Sequence, residues 1–303
     1  MPTRQQRQDG LIQRIIQQRK LVADIRGKKA KKLPRPPKPV RPDAVERAYY
    51  RGLLGIVNHM NDLVSQRLGP EINKIVEEAK ADLNRSDSER RDAYPEMISR
   101  IVDGIKFSFY RALSDREIER YATNAATATE EHSRREVGKS FKRVLGIDVN
   151  NLVTTPAIRN QFSSFVKENV SLIKTIPDQY FARIEQVVHR GAATGRPTKA
   201  IAADIQNVYG ITKNRAKLIA RDQVAKFNGT LTQVRQTDLG ISKYTWSTSL
   251  DERVRGNPSG LYPKARPSHY VREGKTFSWD DPPEDGHPGE PINCRCVAIA
   301  VFD

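Results

Sequence analysis

The sequence predicts an α+β protein: a mainly helical N-terminal and central body, then a small, loop-rich C-terminal module that contains β-strands. Apolar residues recur every three and four positions from Asp43 to about Gly240, the spacing that lines one face of an α-helix. Beyond Gly240, Tyr244-Thr245-Trp246-Ser247-Thr248 alternates aromatic and small polar residues as a strand does, and a stretch dense in Gly, Pro, Asp and Asn follows. With 303 residues, 37% of them hydrophobic and 29% charged, the chain can fill two domains and still carry a large solvated surface.

Residues 1–42 form a basic arm, with 13 Lys or Arg against two Asp, a balance of +11 within a net charge of +16. Such an excess favours an anionic partner, nucleic acid above all. Leu11, Ile12, Ile15, Ile16, Leu21, Val22 and Ile25 make one apolar stripe with Gln and Arg opposite, so a short helix is expected. Leu11, Ile12, Ile15 and Ile16 are the residues expected to dock on a partner. The following GKKAKKLPRPPKPVRP contains five prolines and should be an extended linker. Its Lys28, Lys29, Lys31, Lys32, Arg35, Lys38 and Arg41 are expected to hold the phosphates of double-stranded DNA, without reading its sequence.

A helical body is expected over 43–209. Its first helix carries Val45, Tyr49, Leu53, Ile56, Met60 and Val64 and should stop near Gly69-Pro70. A second stripe runs from Ile72 to Leu83 and a third from Met97 to Phe109. Ser114 with Glu117 is a capping box that opens another helix. Within it, TNAATATEEHSRREVGKS is polar nearly all round, which suggests a long solvent-exposed helix or a hinge. Further helices are expected over 156–174, 177–191, 198–209 and 212–239. The last of these opens the C-terminal domain, 210–303, in which a closing strand over 297–302 should pair with the one around Trp246. From Tyr244 to Asp303 there are seven Lys or Arg and nine Asp or Glu, a balance of −2.

No apolar run approaches the roughly 20 residues that span a bilayer, and MPTRQQRQDG lacks the apolar core of a secretory signal, so no membrane partner is expected. Neither a Gly-rich phosphate loop, a GxSxG elbow nor an HExxH pair occurs, and no catalytic residue is assigned. Cys294 and Cys296 are the only cysteines, too close together for a structural disulfide. With His269 and His287 they could supply four zinc ligands. The spacing His-x17-His-x6-Cys-x-Cys is that of no standard finger, which favours a structural turn with the sulfurs packed as small hydrophobes against Trp246 and Phe277. No cofactor is expected on that reading, and zinc is the alternative. The acidic residues nearby, among them Asp251, Glu252, Asp280, Asp281, Glu284 and Asp285, raise a second function class. This is a metal-dependent nucleic-acid-processing enzyme built on the C-terminal His, Cys and Asp cluster.

The ordered series GITKNRAKLIARDQ, GISKYTWSTSLDERVR, RPSHYVREGKTF and PGEPINCRCVAIAVF, between Gly210 and Phe302, resembles the C-terminal domain of the phage Mu F-like minor head proteins, also called head morphogenesis proteins. Arg221, Trp246, Asp251, Arg253, Arg255, His269, Asn293, Cys294, Arg295 and Cys296 carry the resemblance. Two features depart from the family pattern: GNPSGLYPKARP intervenes between Arg255 and Ser268, and Asp222-Gln223 stands where relatives tend to have Thr-Glu. The resemblance implies a structural protein of a tailed phage, present in few copies inside the capsid near the portal, and in the host cytoplasm during assembly. Implied partners are the portal protein, packaged double-stranded DNA, and capsid or scaffolding protein; the implied role is in DNA packaging or ejection.

Overall fold

A computed structural model describes residues 14–18, 21–22, 25, 33–85, 93–149 and 155–302. Six long helices precede a small sheet: α1 (Asp43–Arg67), α2 (Ile72–Leu83), α3 (Ala93–Ala112), α4 (Asp115–Leu145), α5 (Pro156–Ala193) and α6 (Thr198–Asp238). The strands are β1 (Lys243–Ser247), β2 (Thr276–Ser278) and β3 (Val297–Ala300). The chain is therefore α+β, helical first and β-containing last. It divides into two compact units, one of residues 47–124 and 166–220, the other of residues 1–46, 125–165 and 221–303. The units interleave in sequence, unlike the consecutive 43–209 and 210–303 of the linear reading, because α1, α4, α5 and α6 each contribute residues to both.

The first unit is all helical. The stripe of α1 buries Leu53, Ile56, Val57, Met60 and Val64, and the helix stops at Arg67 before a 3-10 turn containing Pro70. Ile72, Ile75 and Val76 of α2, with Ile98, Val102, Ile105 and Phe109 of α3, complete the apolar faces that the three- and four-residue spacing predicts. Ser114 and Glu117 make the reciprocal capping box, each accepting the other's backbone N–H at 3.3 Å. Tyr49 donates its hydroxyl to Asn169 at 2.9 Å within this core.

Helix α5 runs through Pro177, and α6 runs through Gly210, where sequence reading places breaks. A proline in mid-helix costs about 3 kcal/mol. It is tolerated here because its turns bury Ile173, Ile176, Tyr180, Phe181 and Ile184 completely, and each such side chain contributes about 1.5–3 kcal/mol of apolar transfer.

The second unit holds the sheet, ordered β2-β1-β3 and antiparallel throughout, with Trp246 opposite Ala298 and Tyr244 opposite Phe277 and Ala300. β2 has no counterpart in the sequence reading, since three residues, Thr276-Phe277-Ser278, offer too little alternation to register. The polar part of α4 is neither a fully exposed helix nor a break: Ala125, Ala126, Thr129, Ser133, Val137 and Ser140 form a buried face of small residues. Thr129 and Ser140 return their hydroxyls to the carbonyls of Ala125 and Glu136, so a face polar in composition is buried with those donors satisfied. Arg235 of α6 is fully buried and pairs with Glu130 of α4; burial draws its pKa down to about 10.

Two expectations about the arm change. Residues 14–18 are helical, but Ile16 is only 5% exposed and packs with Val137, Phe141, Val144, Leu239 and Ala300, while Ile15 is half-buried. At Ile16 the stripe is core of the protein's own fold rather than free docking surface; Leu21, Val22 and Ile25 stay exposed, and Leu11 and Ile12 lie outside the described residues. The described part of the proline-rich segment, residues 33–42, has no helix or strand, yet it is laid down rather than free. Val40 donates its N–H to Glu136 at 2.8 Å, Val40 O lies 2.8 Å from His132 Nε2, and Lys38 Nζ donates to the Thr248 carbonyl at 2.6 Å. No helix among the described residues is long and apolar enough to cross a membrane.

Candidate metal centre and arginine cleft

The turn that carries the cysteines is set by α6. Asn293 sits at φ 60°, a left-handed conformation that Asn tolerates better than most residues. Its N–H is received by Asp222 at 3.0 Å, and its side-chain oxygen accepts from Arg221 Nε at 2.9 Å. Asp222 therefore serves as an acceptor at the position where the sequence departs from the family pattern. Immediately before, Gly289 at φ 100° passes so close to α6 that a Cβ there would lie 2.8 Å from the Ala225 carbonyl. Helix and turn are locked by backbone contact.

Residues 294–296 then enter β3 with Cys294 and Cys296 buried and Arg295 half-buried, as side chains two apart on an extended chain share a face. Both thiols meet His269: Nδ1 is 3.6 Å from Cys294 Sγ and 3.6 Å from Cys296 Sγ. The other ring nitrogen, Nε2, lies 2.8 Å from Asp285 Oδ2, and Asp285 is held in turn by Arg272 at 2.5 Å and Arg255 at 3.6 Å. Gly289 N–H points at Cys294 Sγ at 3.4 Å. Trp246 backs the imidazole, edge to face at 5.2 Å, with the Arg272 guanidinium 4.9 Å over its own ring.

The electrostatics follow from these contacts. The bond from Cys296 and the neighbouring imidazole hold the Cys294 thiol well below its usual range, while Cys294 and burial push Cys296 up. Burial lowers the His269 pKa, but bonds to Cys294 and Asp285 outweigh it and the net shift is upward. Burial raises the Asp285 carboxyl, and His269 and Arg272 more than reverse this.

The three side chains border a cleft of about 570 Å³ whose wall carries Arg221, Arg253, Arg255, Arg266 and Arg295. Asp251 braces the wall, accepting from Arg253 at 3.1 Å and Arg295 at 2.9 Å; burial raises its pKa, and these partners bring it below the usual range. Arg255 also donates to the Ile292 carbonyl at 3.2 Å.

His269, Cys294 and Cys296 thus come together as the sequence suggested, and His287 does not join them. Its Nδ1 pairs with the Tyr244 hydroxyl at 2.9 Å, and its ring lies 4.8 Å from Trp279. The acidic residues do not assemble into a cation pair among the described residues: Asp251 and Asp285 are committed to arginines, and Glu252, Asp280, Asp281 and Glu284 are exposed. Of the arm's expected DNA contacts, Lys28, Lys29, Lys31 and Lys32 lie outside the described residues, Arg35 is exposed, and Lys38 and Arg41 are engaged by Thr248 and Asp43. Sequence reading missed Asp285 as the partner of His269, and it missed the arginine wall. The repeated Arg at 253, 255, 266 and 295 was the available signal.

The chain is 37% identical over 194 residues to an uncharacterized protein of Haemophilus influenzae (strain ATCC 51907 / DSM 11121 / KW20 / Rd), a match covering 63% of this chain and 41% of that protein. The chain thus spans about two fifths of the length of the curated relative it matches. No solved structure matches it. A family model described as Phage Mu protein F like protein matches residues 182–299, which include all of the sheet but Ala300, the cysteine turn, His269 and every arginine of the cleft. Over residues 182–299, this chain is similar to the phage Mu protein F-like family.

Proposed function

We propose that the protein is a non-catalytic minor head protein of a tailed phage, held inside the procapsid at the portal, where it supports packaging or ejection of DNA. The Mu F-like match over 182–299 carries this reading. The basic balance supports an anionic partner, with +16 on the whole chain and five arginines on one cleft wall. The exposed Leu21, Val22 and Ile25 give the arm apolar surface for a protein partner, whether portal, capsid or scaffold. Co-expression with the portal and major capsid proteins of the same phage tests the reading. Procapsids purified from the wild-type system should contain a few copies of the chain by mass spectrometry, and procapsids assembled without portal should contain none. Equal incorporation with and without portal would refute portal association, and absence from both kinds of particle would refute the head assignment.

A further inference from the structure

We propose that His269, Cys294 and Cys296 bind one zinc ion, through Nδ1 and two thiolates, with the fourth coordination position open to the arginine-lined cleft. Three independent features carry the assignment. The first is distance. Tetrahedral zinc with bonds of about 2.3 Å to sulfur and 2.0–2.1 Å to nitrogen separates a sulfur from a nitrogen ligand by about 3.6 Å. Both Sγ–Nδ1 separations are 3.6 Å, and all three donor atoms lie within 4.8 Å of one another. Both sulfur–nitrogen separations are those that a shared ion would impose.

The second is proton bookkeeping. A neutral imidazole has one N–H and one lone pair. The Asp285 carboxylate, fixed by Arg272 and Arg255, accepts the hydrogen bond from Nε2–H, which leaves the Nδ1 lone pair facing two sulfurs at once. Without a cation, only one thiol proton can use that lone pair, and the other is shared between the two sulfurs. A cation satisfies all three donors together, and binding releases two protons, one from each thiol, as two metal–thiolate bonds form. A carboxylate on the far nitrogen of a ligating histidine is the usual outer partner at zinc, and the Gly289 N–H aimed at Cys294 Sγ suits a thiolate.

The third is the chain path. Cys-x-Cys is awkward on one ion when both residues lie in a tight loop. Here the left-handed Asn293 ends the turn, and residues 294–296 are extended enough to place both sulfurs on one side. His287, the other histidine of the module, is committed to Tyr244. Three protein ligands beside an open cleft make a site that exchanges its fourth ligand, water or an oxyanion drawn in by the arginines.

The test uses the full-length chain purified without added metal, with metal content by mass spectrometry and cobalt(II) added to the chelator-stripped protein. One zinc per chain is expected, with thiolate-to-cobalt charge-transfer absorption and the strong visible bands of tetrahedral cobalt. Cys294→Ser and Cys296→Ser should each lose these bands, while His287→Ala keeps them. Asp285→Asn, which leaves all three ligands in place, should weaken metal affinity about 10–100-fold. Should the cysteine variants fail to fold, the wild-type cobalt spectrum and the Asp285→Asn affinity still decide. Negligible zinc together with no charge-transfer band overturns the proposal, and rapid alkylation of Cys294 in that same protein would identify a thiol–imidazole pair instead. Zinc retained at full stoichiometry in both cysteine variants would also overturn it.

Discussion

Glu136 shows how a single side chain turns a proline-rich linker into part of the fold. It accepts the Val40 N–H at 2.8 Å and the Lys139 ammonium at 2.5 Å, in a segment whose prolines can donate nothing. Burial raises its pKa, but these donors bring the net value below the ordinary glutamate range. A depressed folded pKa means that the stabilisation is complete above the unfolded value, about 4.3, and is lost as pH falls through the lower folded value. Glu136→Gln should therefore melt below the wild type at neutral pH, and the two melting curves should converge in acid; a gap that persists or widens in acid would contradict this role. At the same scale, the candidate centre was half legible. Cysteines and histidines are rare enough here to be noticed, so His269, Cys294 and Cys296 stood out. Which histidine reaches the sulfurs depends on ring direction, which spacing does not encode; His269 reaches them, and His287 pairs with Tyr244. Asp285 was hidden for a different reason: between Glu284 and Gly286 it reads like any solvated loop acid.

Helix existence was legible and helix length was not. Periodicity reports which face is buried, so the stripes of α1, α2 and α3 were found with nearly correct ends. Gly210 and Pro177 were read as breaks because local propensity opposes helix there, and packing on either side overrides it. A second glycine of α6 shows the reverse case, in which glycine is required. Gly229 faces the turn before the cysteines, where an added Cβ would lie 2.6 Å from the Pro288 carbonyl and 3.6 Å from Gly289 Cα. In an isolated helix, Gly→Ala gains about 1 kcal/mol. Here the obstacle is backbone on both sides, and overpacking costs typically 1–3 kcal/mol. Gly229→Ala is expected to lower stability despite the better helix former, and, because the displaced turn leads to Cys294, to weaken metal binding as well. Gly55→Ala serves as the control, since a Cβ there meets nothing within 4 Å and should be neutral or stabilising. Thermal melts of the two variants separate crowding from propensity; a stabilised Gly229→Ala would show that the turn yields freely.

For the whole molecule, charge is informative by placement rather than by sum. Residues 244–303 carry seven Lys or Arg and nine Asp or Glu, a balance of −2 that gave no hint of a phosphate surface. Yet four of those seven, Arg253, Arg255, Arg266 and Arg295, stand on one cleft wall, joined by Arg221 from α6, while Glu252, Asp280, Asp281 and Glu284 are exposed and do not line that wall. Composition cannot report such segregation, because it depends on which loops the sheet brings together. The chain thus has two cationic regions, the arm with its balance of +11 and the cleft, and either is a candidate surface for the proposed duplex-DNA partner. Counterion release distinguishes them, since log affinity falls with log salt at a slope of about −0.9 per phosphate neutralised. Replacing Arg253 and Arg266 by Gln removes two exposed guanidinium groups without touching the three proposed metal ligands, and should flatten the slope by roughly 1.8 if both contact phosphate. Replacing Lys28, Lys29, Lys31 and Lys32 by Gln should flatten it by an amount set by the arm's own contacts, with the buried Ile16 and the segment from Leu33 onward, bonded to Glu136, His132 and Thr248, left in place. If the arginine pair leaves the slope unchanged while the lysine replacements flatten it, DNA is held by the arm alone and the cleft serves another anion. If both changes flatten the slope additively, the two regions bind the same duplex, as the proposed function requires.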